Sequence, residues 1–390
     1  MIERNMRGFI KVFAAMAGMS CVLLFGGGYT AKAETIELVP REELTVEDVH
    51  KAPGETYAKK TEITSDFKYI NYVNALLTKY DTITFKDGKT YNLEAAIIIP
   101  KGKAITINAG TATINIAKGA VANEDFTTGG YDAVAGLTIN GGIWKSSTGG
   151  TTSAFKIAHG QNISFKNMDI QCASKKTHSI ELIGCNNVLI ENCKVIGQGS
   201  GSAKEEQIQI DVASQATAGN VVSGAAIDGT TCQNVQIIGC EVTGCRGIGI
   251  NADVKNAKGA GKKNKGKYQN KYHKNIEISG CTITGTSAEG LMAYNVIGLK
   301  VHDNTITSEA SAKKANYSSG IHALNQGKGT KMTVTIKNNT VEGGKQAIFV
   351  GSNGAKIKKA TVMNNSVSNH SKNPEVAVSG CKSQKVKKNK

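Results

Sequence analysis

Nine side chains between positions 178 and 294 have types suited to chemistry: His178, Glu181, Glu206, Gln209, Asp211, Arg246, Asn251, Glu289 and Tyr294. They are spread over more than a hundred residues, so only a fold that stacks repeats upon one another brings them together. Glu181 and Asp211 fall one repeat apart in adjacent positions. Strands stacked at about 4.8 Å would set their carboxyls roughly 5–8 Å apart. At that separation two carboxylates serve as acid and base on a glycosidic bond, or share a Ca²⁺ ion. Neighbouring carboxylates also raise one another's pKa, which suits a general acid. Glu206 and His178 are placed to orient or assist the pair. Gln209, Arg246, Asn251, Glu289 and Tyr294 are placed to contact substrate.

The elements that must position these residues are short strands. Apolar-x-apolar triplets recur as Phe155-Lys156-Ile157, Ile180-Glu181-Leu182, Ile208-Gln209-Ile210 and Ile248-Gly249-Ile250. They continue as Leu291-Met292-Ala293, Ile321-His322-Ala323, Ile348-Phe349-Val350 and Val376-Ala377-Val378. Successive intervals are 25, 28, 40, 43, 30, 27 and 28 residues. Alternation of period 2 marks each as a strand with one buried face, and no helical period fits. A second strand follows in each unit, as in Asn187-Val188-Leu189-Ile190, Asn234-Val235-Gln236-Ile237 and Asn275-Ile276-Glu277-Ile278. Units of this length bury their apolar faces only against their neighbours, which is the physics of a solenoid.

Stacking the units sorts the outward residues into columns. One column reads Lys156, Glu181, Gln209, Gly249, Met292, His322, Phe349. Two residues on, another reads Ala158, Ile183, Asp211, Asn251, Tyr294, Leu324, Gly351. Just before the strands stand Ser153, His178, Glu206, Arg246, Glu289, Ser319 and Gln346. Ionisable groups concentrate between the coils of His178 and Tyr294, forming one patch.

Asn and Cys repeat at the turns. Asn167, Cys193, Cys240, Cys281, Asn304, Asn339 and Asn365 are read as one register, and Asn162, Asn187, Asn234 and Asn275 as another. Stacked Asn side chains can bond up the column and satisfy turn backbone that would otherwise be buried unpaired. This pattern, over roughly residues 65–380, resembles the Asn ladder of right-handed parallel β-helices in the pectate-lyase-like superfamily. The resemblance implies an all-β, single right-handed parallel β-helix with a short capping helix, and carbohydrate chemistry at fold level only. The polygalacturonase motifs and the pectate lyase Asp-His strand motif are absent. Ala158-His159-Gly160 only approaches Gly-His-Gly and sits at a turn.

The remaining chain fits this plan. Ser65-Asp66 offers an N-cap to a helix over 66–79, with Ile70, Val73 and Leu77 on one face. Residues 34–64 are charged without a period and read as a loosely packed lead-in; the β-helix domain is expected over 65–390. Cys185, Cys232 and Cys381 share a second register, no spacing suits zinc, and buried free thiols are expected. Two long units carry insertions near 213–231 and 253–274, directly after the strands bearing Asp211 and Asn251, where they would wall one side of the patch. The second insertion carries eight lysines, including Lys262 and Lys263, with Tyr268 and Tyr272 interleaved. It is read as a clamp for an anionic sugar, with Lys262 and Lys263 as contacts.

Of 390 residues, 40% are apolar and 20% charged, with only four prolines, which excludes disorder, collagen and coiled coil. Gly at 44 residues fits many tight turns. Arg4, Arg7 and Lys11 precede the uncharged run Val12 to Phe25 and the small-residue site Ala31-Lys32-Ala33, so residues 1–33 read as an export signal. Beyond residue 33 the chain keeps 43 Lys+Arg against 30 Asp+Glu and no segment apolar enough to span a bilayer. The expectation is an exported or wall-associated lyase or glycoside hydrolase acting on a polysaccharide, an acidic one by charge, with no nucleic acid partner. The alternative is a non-catalytic glycan-binding surface protein or adhesin using the same face.

Overall fold

β-Branched side chains alternating with polar ones give strands with one apolar face, and here those faces close around a common axis. The structure, a computed structural model, describes residues 34–53, 62–146, 153–172, 178–197, 205–215, 225–253, 266–311, 318–371 and 374–390. It is a single right-handed parallel β-helix, with every strand pairing parallel and the hand that parallel crossovers take. One strand per coil joins a ten-stranded parallel sheet, here the site sheet. Its members are β1 (Ile97–Ile99), β2 (Val121–Asn123), β3 (Phe155–Ala158), β4 (Ile180–Ile183), β5 (Glu206–Asp211), β6 (Arg246–Ile250), β7 (Leu291–Tyr294), β8 (Ile321–Asn325), β9 (Ile348–Ser352) and β10 (Val376–Val378). The other strands form a second, twenty-stranded set.

The expected stacking register holds residue for residue. Inside, Ile180, Ile208, Ile248, Leu291, Ile321 and Ile348 align and are fully buried. Each such side chain contributes about 1.5–3 kcal/mol through burial. Outside, Lys156, Glu181, Gln209, Gly249, Met292, His322 and Phe349 align as one column. The first coils are packed by Phe85, Tyr91, Trp144, Phe155 and Phe165 in edge-on contacts of 4.7–6.1 Å.

Helix α1 (Asp66–Lys79) caps the first coils, with the Ser65 hydroxyl accepting from the Lys68 amide at 3.3 Å. It buries Ile70, Val73 and Leu77 as expected, together with Tyr69, Tyr72 and Leu76. The segment before it is not the loose lead-in expected from its charge. Thr35–Leu38 pairs with Thr82–Phe85 in the sheet, and Leu38, Leu44 and Val49 are buried. The hydroxyls of Tyr69 and Tyr72 reach the carbonyls of Val39 and Asp48 at 2.7 and 2.8 Å. Single apolar anchors between charges carry this packing, and such anchors leave no period to read.

Two Asn columns run along the turns, with one correction. Asn162, Asn187, Asn234 and Asn275 share left-handed backbone and bond through their amides at 2.7–3.0 Å, with Asn186 taking one link. The inner column is Met168, Cys193, Cys240, Cys281, Asn304, Asn339 and Asn365, closed by Asn389. Asn167 lies one residue earlier, in the left-handed register of Asn192, Gly239, Gly280, Asp303, Asn338 and Asn364. Its polar type matched the ladder, but Met168 fills the buried position. The eight described cysteines are free thiols, seven of them buried.

Candidate functional site

The patch read from the sequence exists, yet its face is largely sealed. Glu181 is 2% exposed, Asp211 0%, Glu206 5%, Arg246 5% and Glu289 0%. Part of the cover is visible: Ala158 and Ile183 in the outward column pack with Ala213 and Ala225 of the first insertion and with Phe126. The insertion is anchored by His159, whose ring nitrogens contact the carbonyls of Gly130 at 2.9 Å and Ala226 at 3.1 Å. The near miss of a Gly-His-Gly motif is therefore a structural pin. The two insertions also touch one another, since the Tyr268 hydroxyl donates to the Ile227 carbonyl at 2.5 Å. Lys262 and Lys263 lie outside the described residues.

Beneath the cover the charges are paired into a ladder across coils. Arg246 donates to Glu206 at 2.5 Å and to Glu289 at 2.9 Å, and Glu289 meets His322 Nδ1 at 3.0 Å. Burial pushes Glu289 upward, but the His322 hydrogen bond and the Arg246 charge outweigh it and hold the carboxyl below its ordinary value. Arg246 is therefore a structural bridge, not the open sugar contact expected of it; the same holds for Glu289. Glu181 is likewise engaged, accepting from Ser153 Oγ at 2.6 Å with Lys156 Nζ at 3.8 Å. Burial lowers the Lys156 pKa against the raising effect of Glu181.

Asp211 is the exception. Among the described residues no hydrogen-bond partner meets either of its carboxyl oxygens within full geometry, though Asn251 stands near enough to pull its pKa down. Burial, then the charges of Glu181 and Glu206, push its pKa well above the usual carboxylate range. An enclosed Asp211, its pKa pushed up, and a committed Glu181 do not fit the six to eight oxygens that Ca²⁺ requires. The donor atoms that do converge, all within 4.8 Å of one another, belong to His178, Glu205 and Glu206.

Two of this group, His178 and Glu205, can be reached, and Glu206 lies buried beneath them. His178 and Glu205 are partly exposed. His178 Nδ1 contacts the Glu206 carbonyl at 2.6 Å, which orients the ring and turns Nε2 away from that bond. Burial raises the Glu205 pKa, the His178 and Arg246 charges oppose this, and the Glu206 charge reinforces it. The Glu206 side chain lies across Gly249: a β-carbon there would fall 2.1 Å from Glu206 Cγ. Glycine at this point of the column makes the room that the carboxyl occupies. Gln209, its Oε1 without a partner among the described residues, Asn251 and Tyr294 are also partly exposed.

Sequence reasoning missed Glu205, which stands outside every column, and left His322 in its column without a role. His322 sits between Tyr294 and Phe349, with ring centroids 5.5 and 5.2 Å away and edge-on geometry. The alignment of His322 with Phe349 was visible in the register; the edge-on stack with Tyr294, one column over, needed the structure.

No protein-family model matches this sequence, and no curated protein matches it. Solved structures do match. The surface adhesin PfbA of Streptococcus pneumoniae is 17% identical over 88% of this chain and 81% of that one, with a TM-score of 0.54. A second structure of PfbA is 13% identical over 91% and 100%, at 0.43. The A-module of the mannuronan C-5 epimerase AlgE4 of Azotobacter vinelandii is 14% identical over 87% and 96%, at 0.39. At 17% identity, the similarity to the pneumococcal adhesin shows a shared β-helix fold.

Proposed function

We propose that the protein is exported and engages a polysaccharide lengthwise along the site sheet, cleaving a glycosidic bond at the His178–Glu205–Glu206 end. The carrying observation is the convergence of these three donors at the reachable end of one strip. That strip continues through Gln209 and Asn251 to the half-buried rings of Tyr294 and Phe349. From the coil of His178 to that of Phe349 it covers five strand spacings, about 24 Å. Polar groups at one end and aromatic faces at the other suit a linear chain of sugar rings.

Glu205, its pKa raised, is the proton donor, and the Glu206 carboxylate, buried beneath it and held by Arg246, stabilises from below the positive charge that develops on the sugar. His178, fixed by the Glu206 carbonyl, positions the two. Arg246 and Lys156 already pair with buried carboxylates, so the described residues of this end hold no uncommitted cation to neutralise a uronate. That favours hydrolysis over elimination. The export reading rests on residues 1–33, and among the described residues no helix is long and apolar enough to cross a membrane.

A second reading, a non-catalytic surface protein that binds glycan on the same strip, is favoured by the sealing of Glu181 and Asp211. Incubation with a panel of neutral and acidic polysaccharides, scored for new reducing ends and for ultraviolet absorbance of unsaturated product, separates the readings. The hydrolytic reading expects new reducing ends without that absorbance, reduced about a hundredfold or more in Glu205→Gln. Retained binding with no turnover on any polymer would establish the second reading instead.

A further inference from the structure

Away from the strip, where the two insertions return to the coil, the surface holds a groove of about 290 Å³. Its floor is a column of the second sheet set, with Gln233, Lys274 and Ile297 in register on successive coils. Lys271 stands at the end of the second insertion and Lys331 three coils beyond Gln233's strand, before Thr333–Lys337; both line the groove and both are exposed. Among the described residues no carboxylate lines it. The nearest acids in sequence are Asp132 and Asp228, and Asp228 is occupied by the amides of Gly130 and Thr230 at 2.8 Å each.

The walls are tyrosines whose hydroxyls are already committed. Tyr131 donates to the Thr231 carbonyl at 2.9 Å, and Tyr272 bonds Asn325 Oδ1 at 3.0 Å and the Gly329 carbonyl at 2.6 Å. Both rings are thereby fixed, and the half-buried Tyr131 offers its ring to the groove. Three exposed ammonium groups around a rigid aromatic wall, with neutral amide and hydroxyl groups at the floor, match a sugar ring bearing an anionic substituent. The volume is at the lower end of that of ligand sites and fits a short saccharide.

We propose that this groove is a second binding site, for an acidic saccharide carrying carboxylate or sulfate, separate from the strip of the site sheet. It deepens the reading of a glycan partner while resting on different residues, so each can fail alone. Its location also resolves a conflict of charge: the acidic end of the strip repels a polyanion, and the groove attracts one.

The test measures binding of an oligogalacturonate, a sulfated oligosaccharide of equal length and a neutral maltooligosaccharide to the full chain, by calorimetry across a salt series. Lys271→Ala, Lys274→Ala and Lys331→Ala are compared with Lys385→Ala, an exposed lysine on the last strand, with thermal unfolding as the check on folding. At low salt one or both acidic ligands should bind and the neutral one should not. Each groove substitution should weaken binding about two- to fivefold, the range of an exposed ion pair, and Lys385→Ala should leave it unchanged. The preferred acidic ligand distinguishes carboxylate from sulfate. Absence of acidic binding at low salt, equal weakening by Lys385→Ala, or equal lysine-dependent binding of a short single-stranded DNA would overturn the proposal.

Discussion

Asp211 shows how much a single enclosed carboxyl reports about this protein. Its folded pKa is raised by burial and by the charges of Glu181 and Glu206, so between the unfolded value near 4 and the folded value the native state holds the extra proton. Stability must then fall as pH rises through that window. Asp211→Asn keeps the shape and removes the titration. We expect the wild type to lose about 1–3 kcal/mol relative to this variant between pH 4 and 8, read from urea midpoints along a pH series. Arg246 gives the opposite case. It bridges Glu206 and Glu289 while 5% exposed, and removing one partner of a buried ion pair costs about 3–5 kcal/mol. Arg246→Ala should therefore destabilise the fold by that amount, measured by denaturant unfolding. An effect below about 1 kcal/mol would mean the ladder of charges is not holding the coils together.

At the scale of elements, the inner turn column mixes two side-chain chemistries with one task. Asn339 donates to the carbonyls of Val301 and Lys337 and accepts from the Asn304 amide at 2.9–3.0 Å. Cys281 does the equivalent work with sulfur, contacting the carbonyls of Ile237 and Ser279 at 3.5 and 3.3 Å and accepting from the Cys240 amide. Asn339→Ala should cost about 3 kcal/mol through unpaired backbone groups, and Asn339→Cys distinctly less, as thermal and urea unfolding would show. Gly249→Ala is the companion change on the site sheet: its new β-carbon collides with Glu206, so any glycan turnover should fall while the circular dichroism spectrum stays that of a β-helix. The register of the site sheet was legible because period-2 alternation and repeat length dictate which residues stack. The burial of Glu181 and Asp211 was not, because it depends on what lies over the face, and the cover seen on the neighbouring Ala158 and Ile183, Phe126 and Ala225, comes from segments with no repeat. Glu205 escaped for a related reason, since it precedes its strand and belongs to no column.

For the whole molecule, coil-on-coil stacking lets a rigid scaffold carry separate surfaces along its length. One surface is the strip from His178 to Phe349, backed by the buried charge ladder. Another is the lysine-lined groove at the roots of the insertions. The net charge of +16 on 390 residues is therefore not a property of the strip, whose polar end is acidic. Polyanion binding through the groove should weaken steeply with salt as screening approaches about 8 Å at 0.15 M, whereas binding through the aromatic end of the strip should respond little. Whether the strip holds a glycan is read from a carbohydrate array probed at 0.15 M salt with wild type and with Tyr294→Ala/Phe349→Ala. At least one polysaccharide should be retained by the wild type and weakened about tenfold or more in the variant, with unfolding midpoints within a few degrees. A glycan retained equally by both proteins, or none retained by the wild type, would contradict binding on the strip.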